Sequence, residues 1–210
     1  QLDNLQSNGR PNGVRYTSPS FKGASLRFGA YEGGSTDVAV HYYATIYDTK
    51  IAARVAAYNT AGADVNANTH GGWGGSISGL HSSGISLTFA AAQQDDTRRA
   101  TQTNSANALA GNQTNTPSEV DDPTNLWVRV GYQFKSLSFG KTHLSANWQE
   151  SEDLNGTDQT VEVVGFNIVQ NFDAYGTEIY GGYASFDLDT ANSLDYEDID
   201  AGWVGMRVKF

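Results

Sequence analysis

The sequence predicts an all-β chain folded as an antiparallel, up-and-down transmembrane β-barrel. Three observations predict it: period-two alternation from end to end, strands of about 10–13 residues, and connections that alternate between tight turns and long polar loops. Composition bounds the reading. The chain has 210 residues, no cysteine and a formal net charge of -10. Without cysteine there is no disulfide scaffold, cysteine-ligated metal or cysteine nucleophile. The acidic balance argues against nucleic acid as a partner, because phosphate contacts need clustered Lys and Arg. A mean hydropathy of -0.46 fits a barrel as well as a soluble protein, since half of each strand is polar. No apolar run approaches the roughly 20 residues of a membrane helix.

Each strand is read from its alternation and its bounding turns. The expected spans are 13–20, 23–32, 36–48, 50–60, 70–80, 84–94, 125–136, 140–150, 160–172, 177–187 and 198–210. In the second, Leu26, Phe28 and Ala30 alternate with Ser25, Arg27 and Gly29. In the third, Val40, Tyr42, Ala44 and Ile46 oppose His41, Tyr43 and Thr45. In the fourth, Ile51, Ala53, Val55 and Ala57 share a face. The sixth alternates through Ile85, Leu87 and Phe89, and the seventh through Leu126, Val128, Val130, Tyr132 and Phe134. The last closes on Val204, Met206, Val208 and Phe210. Tight turns are expected at 21–23, 48–50, 81–84, 135–140 and 173–176. Opposite them stand one short connection, 32–35, and the longer 59–69, 95–123, 151–159 and 187–197. The stretch 95–123 is too long for an ordinary connection and reads as a functional or mobile loop. No linker divides the chain, so residues 1–210 read as one domain.

Alternation alone leaves a second architecture open: a soluble β-sandwich or solenoid, secreted or surface-exposed, that binds a ligand or carbohydrate. Three features favour the membrane. The strands exceed the usual 5–6 residues and match the 9–11 needed to cross hydrocarbon. Aromatics stand near strand ends at Tyr16, Phe134, Phe172 and Phe210. The polar face carries Arg, His, Asn, Gln, Ser, Thr and Tyr in continuous phase, as a wet lumen requires.

Two segments carry a family resemblance. Asn12-Gly13-Val14-Arg15-Tyr16-Thr17-Ser18-Pro19-Ser20-Phe21-Lys22-Gly23 resembles a signature of Gram-negative trimeric porins, the general diffusion porins of the neisserial and proteobacterial type. Gly202-Trp203-Val204-Gly205-Met206-Arg207-Val208-Lys209-Phe210 resembles that family's final strand. The resemblance implies about eleven strands of a roughly 16-stranded porin barrel, with this chain the C-terminal part and the N-terminal strands and constriction loop outside it. Parity agrees: an odd number of antiparallel strands cannot close on itself, and an open edge in lipid leaves backbone groups unpaired. The resemblance also implies an outer-membrane channel for passive diffusion of ions and small hydrophilic solutes, a homotrimer, and a Gram-negative outer-membrane location. Outer-membrane lipid and lipopolysaccharide are implied as surroundings. Val208 and Phe210 are implied as part of the signal read by the outer-membrane assembly machinery.

The candidate pore-lining residues are Arg15, Arg27, Arg54, Arg129, Arg207, His41 and His143, all in the polar phase. Arginine facing lipid costs about 2–4 kcal/mol at midplane, which explains the phase by itself. A basic wall that sets the field for permeating ions is the functional alternative. Acids gather in the long connections, among them Asp95, Asp96, Asp122, Glu150, Glu152, Asp153, Asp187, Asp189, Asp195, Glu197 and Asp198. They read as solvated loop charges, with loosely bound Ca²⁺ or Mg²⁺ as the metal expectation; no loop has EF-hand spacing. No cofactor is expected. Nor is catalysis: the four histidines form no metal-protease motif and no serine sits in a nucleophile elbow. His143 and Ser145 share a face, and a polar lumen pair is the simpler reading.

Overall fold

The computed structural model describes residues 12–60, 69–96, 122–153, 159–190 and 196–209. The expected loop at 95–123 falls almost wholly outside them, as does Phe210. Eleven strands form one sheet in sequence order: β1 (Gly13–Thr17), β2 (Ala24–Tyr31), β3 (Thr36–Ile46), β4 (Thr49–Asn59), β5 (Thr69–His81), β6 (Ile85–Asp96), β7 (Thr124–Leu137), β8 (Gly140–Glu152), β9 (Gln159–Phe172), β10 (Thr177–Thr190) and β11 (Ile199–Val208). Every neighbouring pair is antiparallel. The sheet does not close: β1 pairs only with β2, and β11 only with β10. There is no second sheet among the described residues, so the structure is not a sandwich.

Turn chemistry agrees with the sequence. Lys22 and Gly23 both take positive φ (48° and 87°), the two-residue turn whose twist matches flanking strands. At the β5–β6 hairpin, the Gly84 amide donates to the His81 carbonyl at 2.9 Å and Gly84 takes φ 95°, a three-residue turn with its left-handed glycine. β1 is shorter than expected because Pro19 offers no ladder donor. Thr49, expected in a turn, opens β4, and Lys50, expected at the boundary of turn and strand, lies within it. Three strands run further toward the loops than expected, so Asp95, Asp96, Glu152 and Asp189 are strand residues, as are Glu150 and Asp187, which end their expected spans.

The two faces differ in kind. Among the described residues only Ala184 and Pro123 are buried apolar side chains, while large apolar groups lie open: Val204 is 82% exposed, Met206 64% and Leu87 57%. A water-facing protein does not leave so continuous an apolar surface uncovered. The sheet lacks a core because its apolar face looks outward.

The registers show that this apolar face is slanted. One cross-strand row runs Ala24, Tyr42, Ala53, Ile77, Phe89, Val128, Trp148, Val164, then Ser185 and Asp200. It touches the first turn at Ala24 yet passes β9 at Val164, eight residues before that strand ends at Phe172. The turns therefore step along the ladder by about one residue per strand. With about 3.3 Å of rise per residue and 4.8 Å between strands, the slant is roughly 35°, within the tilt range of membrane barrels. Nearer the turns, the row Ile85, Tyr132, Leu144, Ile168, Gly181 and Val204 has no charged or amide side chain through to β11.

The slant explains the strand acids. Glu150, Glu162 and Asp187 stand opposite one another on the outward face, beyond the edge of the apolar band. Carboxylates are tolerated there because the strands project past it. The inward face at the same height carries Val163, Phe186 and Ile199 side by side, so the polar phase is not continuous as expected. Beyond the band, lipid and lumen no longer dictate which face is polar.

Candidate functional site

All seven candidate residues fall on the inward face, as the ladder registers require: His41 opposes Arg54, His143 opposes Gln133, and Arg207 opposes Glu178. The structure separates them by partner. Arg15 donates to the Tyr31 hydroxyl at 2.6 Å and lies 3.4 Å from Asp37. Arg207 Nε donates to Glu178 Oε1 at 2.6 Å, and Lys209 reaches the other oxygen of Glu178 at 3.4 Å. These two arginines face carboxylates. Arg54 instead donates to the Tyr43 hydroxyl through Nε (3.0 Å) and Nη2 (2.5 Å). Arg129 donates to Ser145 Oγ at 2.7 Å. Arg27 is half-buried.

His143 and Ser145 share the face but serve different neighbours: His143 Nε2 lies 3.1 Å from Asn171 Nδ2, and Ser145 accepts from Arg129. No group of three or more His, Asp or Glu that could hold a metal occurs among the described residues; much of the acidic connections that carry the cation expectation lies outside them. Val208 ends β11 on the outward face and is half exposed.

Sequence reading missed three features. Asp37 and Glu178, which face Arg15 and Arg207, share the inward phase with them; register counted back from each hairpin finds them. Lys50 adds a cation. It lines a concavity of about 680 Å³ with Arg129, His143, Ser86 and Asn167, and no carboxylate is in its wall. Finally, inward aromatics cover glycines, three of them on the paired strand and one, Gly29, on the aromatic's own strand. A Cβ on Gly182 would collide with the Trp203 ring, one on Gly205 with Tyr180, one on Gly29 with Tyr31 and one on Gly72 with Tyr58. Such pairing recovers contact that glycine forfeits and keeps the rings out of the bore. The glycines and aromatics share the inward phase in the sequence, but only the register joins the cross-strand pairs.

The arrangement offers hydrated donors and positive charge along one wall, backed by an apolar surface. No protein-family model matches the chain, and neither does any curated protein sequence. Among solved structures it is similar to "Outer-membrane expressed OmpT of Vibrio cholerae", with a TM-score of 0.53 and 13% identity, over 93% of this chain and 64% of that one. The chain thus spans less than two thirds of that protein's length. At this identity the likeness concerns the fold, and the fold is an outer-membrane β-barrel's: eleven antiparallel up-and-down strands in one sheet.

Proposed function

We propose that this chain is part of the wall of an outer-membrane porin, a water-filled channel for passive diffusion of ions and small hydrophilic solutes in a Gram-negative cell. The slanted two-faced sheet carries the reading: an outward apolar band with every described strand arginine on the opposite face. Closure needs an odd number of further strands between β11 and β1, since both run the same way. A roughly 16-stranded whole satisfies that parity. In such a channel the inward cations shape the field along the ion path, and no chemical step is catalysed.

The assembly proposed is a homotrimer in a lipid and lipopolysaccharide membrane, delivered by the assembly machinery through the end of β11. The test is full-length protein in a planar bilayer. Stepwise conductance is expected. Detergent-free solubility with no conductance would overturn the channel, and a detergent particle with the mass of one barrel would overturn the trimer.

A further inference from the structure

On the inward face between β4 and β8 lies a trough of about 460 Å³. Its floor is made of small side chains, because two adjacent rows are filled by them. Ala52, Ser78 and Thr88 stand in one row, and Ser76 and Ala90 in the next. That second row is bounded by Arg54 at one end and by Trp127 and Gln149 at the other. Arg54 and Trp127 are three strands apart, roughly 14 Å. That is room for a short chain of rings rather than a single ion.

The walls are chemically distinct. Trp127 offers a flat apolar surface with one indole donor. Opposite it, the Arg54 guanidinium stacks 5.8 Å from the centre of the Tyr43 ring and is held by that residue's hydroxyl. Two amides complete the rim. Asn125 Nδ2 and Gln149 Nε2 both donate to Ser151 Oγ, at 2.6 and 3.3 Å. Ser151 is 1% exposed, so both amides are anchored from below rather than swinging in the bore. No carboxylate is in the wall. A simple anion is better served by the neighbouring concavity with Lys50 and Arg129. The trough suits a molecule with one C–H face and a rim of hydroxyls: the face lies on an aromatic, and the rim meets planar donors fixed in place.

We propose that this trough is a saccharide-binding subsite, taking an oligosaccharide laid across β4–β8 with one ring stacked on Trp127 and its hydroxyls met by Arg54, Asn125 and Gln149. The inference rests on the inward face being the lumen. Full-length protein in detergent is titrated calorimetrically with maltotriose, cellotriose and trigalacturonate. Saturable binding of at least one is expected, weakened about tenfold by Trp127→Ala, as expected for a lost aromatic contact of about 1.4 kcal/mol. Trp127→Phe retains it, and Trp203→Ala, on the same face but outside the trough, leaves it unchanged. Heat-resistant migration on gels checks that each variant is assembled. No saturable binding by any of the three, or equal binding by Trp127→Ala, overturns the subsite. Conductance recorded on the same preparations keeps the two readings apart: a conducting protein that binds no saccharide loses only the subsite, whereas one that never conducts loses the channel.

Discussion

Ile77 and Ser185 lie on the same ladder row and point outward alike, yet the slant assigns them different surroundings. Five strand spacings separate β5 from β10, about 24 Å across the ladder. At roughly 35° this is about 14 Å of height, against about 12 Å from the middle to the edge of a 25 Å apolar band. Ile77 therefore sits near the midplane, and Ser185 beyond the edge, beside Asp200. Ile77→Arg is expected to cost about 2–4 kcal/mol and Ser185→Arg about 0–1 kcal/mol. Urea titration of the full-length protein folded into lipid vesicles measures both, with Ile77→Ala separating lost apolar contact from charge. Equal costs, or a larger cost at Ser185, would refute the slanted band and with it the account of the strand acids.

Three further outcomes follow from the inward face. Arg54→Gln with Arg129→Gln is expected to move the reversal potential in a salt gradient toward cations, and the shift should shrink at 1 M salt, where the Debye length is about 3 Å; an unchanged potential removes the basic wall and leaves the channel. Glu178→Gln strips Arg207 and Lys209 of their shared carboxylate, so the potential should move the opposite way, toward anions, in the same assay. Gly182→Val is expected to lift the Trp203 ring into the bore and lower unit conductance, with Trp203→Ala restoring it in that background; conductance that stays low in the double variant would mean the glycine matters for the backbone alone.

Much of the fold was legible because barrels obey a short-range code. Period two fixed which face each residue takes, and residues such as Lys22-Gly23 fixed where the chain reverses. All eleven strands and the inward placement of the seven basic candidates follow from those two rules. What the code lacks is height. Glu150 and Asp187 read with the loop acids although each ends an expected strand, and only the accumulated stagger shows those positions to lie beyond the band. The same gap hid the site. Arg54, Trp127 and Gln149 lie far apart in sequence on three different strands, and nothing local says that one row joins them. Lys50, at the boundary of an expected turn and strand, was not among the candidates, although it shares its phase with Arg54.

The slant also brings to one height residues that no single row contains. Followed along the ladder and corrected by one residue per strand, Arg15, Arg27, Arg54, Arg129 and Arg207 fall within about two residues of a common level, roughly 5 Å of height, near the middle of the apolar band. Guanidinium groups on β1, β2, β4, β7 and β11 thus form a girdle instead of a staircase. Carboxylates temper it at its two ends, through Asp37 and Glu178, while Arg129 on β7 faces a hydroxyl. In the proposed channel a solute would meet the guanidinium charge at one level, off-centre around the circumference, with Lys50 and Lys209 adding positive charge nearer the turns and Asp37 a carboxylate toward the loops.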